Sequence, residues 1–145
     1  MAISHSGGEK NAALNAGQKT SFDGTTGVIR IYGGTPPANA DAANANAVLS
    51  TLTLANPSFA TAANGVLTAN AIASDTSAAA SGTATFFRVM MTTDSLPAGA
   101  SGATDKRIQG TVTATGGGGD MTLNSTSITI GGTVSISSWV YNFPA

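Results

Sequence analysis

Residues 83–91, TATFFRVMM, decide the fold of this 145-residue chain. The apolar side chains of Phe87, Val89 and Met91 share one face of an extended backbone, and Arg88 lies on the opposite face. Aromatic and β-branched residues are also the types that favour strands. The segment therefore predicts a strand at the centre of a β-sheet.

The same period of two continues on both sides of this strand. Short alternating segments are separated by Gly, Pro and Asn turns, and no helical pattern interrupts them. This arrangement predicts an all-β fold, an antiparallel β-sandwich or jelly roll of about eight strands, formed as a single domain by residues 27–145. The other predicted strands are residues 28–32, 48–54, 66–72, 107–115, 121–123, 128–130 and 134–143.

The last predicted strand changes its alternation partway along. Val134 and Ile136 share one parity, whereas Trp139 and Tyr141 take the other. One extra residue in a strand, or a change of partner sheet, produces such a switch. The pattern therefore predicts an irregularity near Ser137.

Residues 1–26 are polar and rich in glycine. Their large apolar side chains are scattered at Ile3, Leu14 and Phe22. That is too little apolar area to offset the roughly 1–2 kcal/mol per residue that backbone ordering costs. We expect a flexible, extended N-terminal arm that becomes ordered when it binds a partner. The alternative is an ordered first strand around residues 18–22.

The surface is polar but carries few charges. Charged residues are only 9% of the chain, the formal net charge is -1, and no cluster of Lys and Arg occurs. We therefore expect no binding to nucleic acid or to a membrane. The sequence has no signal-peptide core, so synthesis in a cytoplasm is expected. Weak self-repulsion favours a protein that is packed against neighbours.

The residues that carry catalytic chemistry are scarce. His5 is the single histidine and lies in the expected arm, and cysteine is absent. The GGGGD run at residues 116–120 lacks the Lys and the following helix of a phosphate-binding loop, so it predicts a turn. Calcium binding through Asp75 or Asp120 stays open as a minor alternative. We expect no enzyme activity, no catalytic residue, no cofactor, no metal and no small-molecule substrate.

Arg30 and Arg88 each interrupt an apolar strand. A solvent-facing position on the polar side of the strand would explain both. The alternative is an anchoring role in a protein interface, where Arg and aromatic residues are enriched. The protein-interaction residues that the sequence predicts are Ile3, Leu14, Phe22, Arg30, Tyr32 and Arg88.

A series of sequence blocks runs through residues 27–144. They are GVIRIYGG at 27–34, LSTLTL at 49–54, NGVLTANAIASD at 64–75, SGTATFFRV at 81–89, QGTV at 109–112 and GGDMTLNSTSITIGGTVSISS at 118–138, with Pro144 at the end. Together, in this order, they resemble the small structural proteins encoded in the head gene clusters of tailed bacteriophages. The family of that type is the jelly-roll decoration, or cement, proteins.

The resemblance implies a virion structural protein, made in the host bacterial cytoplasm, that binds the outer surface of an icosahedral capsid. There it would bridge neighbouring major capsid protein subunits, as a dimer or trimer, and stabilise the shell through avidity. One alternative is another virion component, such as a tail or head-tail adaptor protein. A second is a carbohydrate-binding adhesive β-sandwich, which predicts an exposed aromatic platform of Tyr32, Trp139 and Tyr141.

Overall fold

The chain folds into a β-sheet preceded by two short helices. A computed structural model describes residues 3–23, 27–94 and 97–144. Helices α1 (Gly7–Leu14) and α2 (Thr20–Phe22) are joined by a π-helical turn, Asn15–Lys19. The strands in the described residues are β1 Gly27–Gly33, β2 Val48–Leu54, β3 Val66–Thr68, β4 Ile72–Ala73, β5 Gly82–Met91, β6 Arg107–Ala114, β7 Met121–Leu123, β8 Ser127–Ile128 and β9 Ile136–Asn142.

The strands form one curled, mixed sheet that resembles a half-barrel. Their order is β3-β9-β7-β6-β5-β1-β2-β4, and β8 pairs with the beginning of β5. The prediction of an all-β, sandwich-like fold is confirmed. One pair departs from the predicted antiparallel arrangement, because β6 and β7 run parallel.

β5 takes the central position that its sequence predicts. It lies between β1 and β6. Phe87 and Val89 belong to the main hydrophobic core, and Phe86, Arg88 and Met90 on the opposite face are equally buried. A strand that is buried on both faces needs a second layer of protein over its outer face.

The inner face of the curled sheet encloses the main core. Side chains from most of the strands meet there, around Trp139. The Trp139 ring packs on Phe59 and Phe87 with centroid distances of 5.0 and 5.8 Å. Leu14 and Phe22 from the N-terminal helices complete this core.

The prediction of an extended arm is wrong for residues 7–22, which are helical, and the alternative of a strand at residues 18–22 is wrong as well. Leu14 and Phe22 pack into the core, with Leu14 at 0% exposure. Both apolar side chains lie on the buried side of the helices. Two well-placed apolar side chains are therefore enough to hold this segment against the core. Residues 1, 2 and 24–26 of the predicted arm, and residue 145 of the predicted domain, lie outside the described residues.

The helices bury little apolar area, and side-chain hydrogen bonds add to their attachment to the rest of the fold. The Asn11 side-chain oxygen accepts from the Gly65 N–H at 2.8 Å, and the Asn15 oxygen accepts from the Ala62 N–H at 2.9 Å. These bonds tie the helical segment to a loop that lies about fifty residues further along the chain. The N-terminal segment is therefore part of the folded body.

The irregularity predicted near Ser137 is confirmed. Thr122 pairs with Ser138, whereas the next residue, Leu123, pairs with Ile136. Ser137 is therefore the extra residue of a β-bulge. The bulge turns Trp139 toward the core.

The glycine run makes a tight return between the parallel strands β6 and β7. Parallel neighbours usually need a connection of about a dozen or more residues, but here residues 115–120 suffice. Gly116 and Gly118 have φ values of 88° and 75°, and a Cβ at Gly119 would lie 2.9 Å from Thr113. Side chains would strain or block this return. One consequence is that β7 has only three residues.

Asp75 links the segment after β4 to Val134 and to β2. Its backbone pairs with Val134 through bonds of 3.0 and 2.8 Å. Its carboxylate accepts bonds from Ser50 Oγ at 2.7 Å and from the N–H groups of Ser77 and Thr51 at 2.9 and 3.0 Å. Burial alone would raise the pKa of Asp75, but these bonds outweigh it and lower the pKa below its usual value.

The lowered pKa of Asp75 makes part of the folding stability depend on pH. A carboxylate of this kind contributes stability above its unfolded pKa of about 3.9, and the contribution is lost as pH falls through the folded pKa. We expect Asp75→Asn to lower the free energy of unfolding by about 1–2 kcal/mol at pH 7, and by less at pH 3. Urea unfolding at both pH values measures this, with the exposed Glu9→Gln as control. An equal loss at both pH values would contradict the assignment.

Candidate protein-interaction surface

Two loops cover the outer face of β1, β5 and β6. They are residues 34–47 and the described part, 97–106, of the loop between β5 and β6. Backbone bonds join them, from Asn44 N–H to the Ala98 carbonyl at 2.8 Å and from Ser101 N–H to the Asp41 carbonyl at 2.9 Å. The loops form the second layer that a doubly buried β5 requires.

Arg88 fastens the first of these loops to the sheet. Its side chain is fully buried, and its Nε donates to Gln109 Oε1 at 2.8 Å. Its Nη2 donates to the carbonyl oxygens of Ala42 at 2.7 Å and Asn39 at 3.1 Å. Burial lowers the pKa of Arg88, but a guanidinium stays protonated in proteins. The side chain is thus an internal tie and is held away from solvent.

Arg107, which the sequence analysis missed, fastens the second loop. Its Nε and Nη2 donate to the two carboxylate oxygens of Asp94 at 2.6 and 2.8 Å, and its Nη1 donates to the Gly99 carbonyl at 2.9 Å. The hydrogen bonds that Arg107 donates to Asp94 raise the pKa of Arg107. The sequence contains a pattern that could have indicated this role for Arg107. Asp94 and Asp105 lie at the two ends of a Gly-rich loop, and Arg107 follows that loop directly.

Arg30 also has an unused donor on this face and, unlike Arg88, it is only half-buried. It lies on β1 directly opposite Arg88, with the exposed Thr51 on its other side. Its Nε is buried and has no hydrogen-bond partner among the described residues. Within the same residues no carboxylate forms an ion pair with it. The Nε itself is enclosed, but Arg30 as a whole is only half-buried. The exposed part of its guanidinium can therefore donate to an oxygen atom from outside the chain.

Two further donors in this layer are also unused. Arg88 Nη1 and the Asn44 side-chain nitrogen are buried without a partner in the described part of the chain. A buried donor without a partner costs about 1–3 kcal/mol. Both atoms are enclosed and out of a partner's reach. Within this layer it is the half-buried Arg30 that suits the carbonyl and carboxylate oxygens of another polypeptide.

The structure brings together three of the six predicted interaction residues. Arg30, Tyr32 and Arg88 share the outer face, where Tyr32 is buried and stacks on Phe86 at a centroid distance of 5.0 Å. Ile3 lies apart from them and is 90% exposed. The other two predicted residues, Leu14 and Phe22, are buried in the main core, where a partner cannot reach them.

The aromatic platform predicted for carbohydrate binding does not form. Tyr32 lies under the loops of the outer face, whereas Trp139 and Tyr141 point into the inner core on the other side of the sheet. Trp139 is buried as well, so these three residues do not offer a flat aromatic surface to a sugar ring. The three residues are divided between two separate clusters.

The calcium candidates are engaged in hydrogen bonds within the fold. Asp75 binds Ser50 and its neighbours, and Asp120 Oδ2 accepts from the Thr111 N–H and hydroxyl at 2.8 Å each. In residues 3–23, 27–94 and 97–144, no three His, Asp or Glu side chains come close enough to hold a metal ion. Within the same ranges, no helix has the length and apolar character needed to cross a membrane.

Comparison of the chain with protein-family models, with curated proteins and with solved structures finds no match. The protein is a curled β-sheet with one loop-covered face. On that face, Arg30 of β1 has an Nε without a partner among the described residues.

Proposed function

We propose that the protein is a virion structural protein that binds the outer surface of an icosahedral phage capsid. In this role it bridges major capsid protein subunits, acts as a dimer or trimer, and stabilises the shell. The resemblance of the sequence blocks to phage decoration proteins supplies the class of partner. The all-β body, with few charges on its surface, suits a role in adhesion.

The observation that carries the proposal is Arg30. Protein interfaces are enriched in Arg and depleted of Lys, Glu and Asp. Arg30 has that setting, because it lies between the buried Arg88 and the exposed, uncharged Thr51. A carboxylate or carbonyl group from a capsid subunit would accept hydrogen bonds from the exposed part of its guanidinium.

Copy number tests the proposed role directly. Purified particles of the phage that encodes the chain should contain it in a number comparable with that of the major capsid protein. A handful of copies per particle would instead assign it to the tail or to the head-tail adaptor. Absence from the particle would overturn the proposal.

Substitution of Arg30 tests the surface. We expect Arg30→Ala to weaken binding to heads that lack the protein by about 10- to 100-fold, because a central interface arginine is often worth about 2 kcal/mol or more. Arg30→Lys should recover only part of the affinity, since an ammonium lacks the planar fork of donors. Lys10→Ala, on α1, is the control cation.

Titration of fluorescently labelled protein onto heads measures these affinities. Unfolding experiments should show Arg30→Ala within about 0.5 kcal/mol of the unmodified protein, because the side chain makes no internal hydrogen bond through its Nε. Full affinity in the alanine variant would show that Arg30 is not part of the interface.

A further inference from the structure

The sheet has an opening between β6 and β9. The short strand β7 separates them only alongside Val112–Ala114 of β6, where Met121 pairs with Val112 on one side and Trp139 on the other. Beyond that level no described strand lies between residues 107–110 and residues 140–142. A cleft of about 170 Å³ fills the space.

The edge of β6 presents free backbone groups to this cleft. β5 occupies the other edge of the strand. The Thr111 N–H points away from β5 and donates to Asp120 at 2.8 Å. Since backbone groups alternate in direction along a strand, the N–H and C=O of Gln109 point to the same side as those of Thr111. No strand in the described ranges pairs with Gln109 on that side.

The edge of β9 is open in the same way. Its other edge pairs with β3, and the Trp139 carbonyl accepts the Ala69 N–H on that side at 3.1 Å. By the same alternation, Val140 and Asn142 direct their N–H and C=O groups into the cleft. Two strand edges therefore face each other across the opening, and no strand in the described residues pairs with Gln109 of β6 or with Val140 and Asn142 of β9 on this side.

The floor of the opening is apolar and its mouth is acidic. Phe87 and Trp139 line the cleft from the core side. A side chain at Gly110 would close it, because a Cβ there would lie 2.7 Å from the Phe87 ring. Asp120 also lines the cleft, and no described residue donates to its Oδ1. One carboxylate oxygen is thus available to a basic side chain.

We propose that this opening binds an extended segment of a partner polypeptide, which adds a strand between β6 and β9. An extended backbone is the ligand that can bond to two facing strand edges at once. Its alternate residues would be small or apolar where they meet Phe87 and Trp139, and a Lys or Arg would reach Asp120. The inference rests on the proposed function only for the source of the segment, a capsid subunit.

Hydrogen exchange of the free protein tests the first step. The amides of Gln109, Val140 and Asn142 should exchange faster than those of Gly110 and Tyr141, which point toward β5 and β3. Equal protection of both sets would mean that the opening is filled in the free protein. That result would overturn the proposal.

A display library of short random peptides, selected on the intact protein, tests the binding step. The selected peptides should alternate apolar and polar residues, carry a basic residue, and slow exchange at Gln109, Val140 and Asn142. Val140→Pro removes one N–H from the cleft edge and should weaken peptide binding by about tenfold or more. Val140→Thr is the matched control, because it keeps the N–H at this position and changes only a side chain that is 44% exposed.

Three results would overturn the proposal: no selected peptide, peptides that leave the three amides unchanged, or peptides that bind Val140→Pro normally. If Val140→Pro fails to fold, Asn142→Pro near the end of β9 replaces it. Conversion of a dimer to a monomer by either variant would assign the opening to a second copy of the chain and would also overturn the partner assignment. No phage particle enters this experiment, so its failure is separate from failure of the copy-number test.

Discussion

Arg88→Ala is expected to lower the free energy of unfolding by about 3–5 kcal/mol. The substitution removes the donors that hold the Ala42 and Asn39 carbonyls and Gln109 Oε1, and it leaves a cavity under the loop of residues 34–47. Urea unfolding followed by the fluorescence of Trp139, the single tryptophan, measures the loss.

Arg88→Met separates the two causes. Methionine fills much of the same space but donates no hydrogen bond, so we expect a smaller loss of about 1–3 kcal/mol. Both variants should speed amide exchange in residues 34–47. An alanine variant as stable as the original protein would show that Arg88 does not hold this loop.

Leu14→Ala is expected to lower the free energy of unfolding by about 2–5 kcal/mol, the range for a fully buried leucine. The Leu14 side chain has 0% exposure and packs in the main core. A flexible arm would give no such effect, so the same urea experiment distinguishes a docked helix from an arm.

Ile3→Ala is the control for the Leu14 substitution. Ile3 is an apolar residue of the same segment and is 90% exposed, so its truncation should change stability by less than about 0.5 kcal/mol. Similar stability in both variants would mean that the N-terminal segment is the flexible arm that its composition predicts.

The strands could be predicted because their signal is local. The period of two gives β2 its observed bounds, Val48–Leu54, and places β5 within one residue. The switch of parity around Ser137 likewise revealed the bulge. Such patterns depend on neighbours in the sequence, which a single sequence contains in full.

The N-terminal helices could not be predicted because their stability comes from distant parts of the chain. Asn11 and Asn15 bond to a loop some fifty residues away, and composition carries no record of that contact. The two arginines were ambiguous for a related reason. Whether Arg88 meets solvent, a partner or a loop depends on where residues 34–47 fold, and they fold over it.

The glycine return at residues 115–120 has a consequence for the evolution of this chain. Its tightness lets β7 begin no earlier than Met121, and the missing length of β7 is the opening beside Gly110. An insertion of a few residues between β6 and β7 would let the chain itself extend β7 into the opening. Descendants with such an insertion would have a continuous sheet and no groove, so the four glycines and the groove should be gained and lost together.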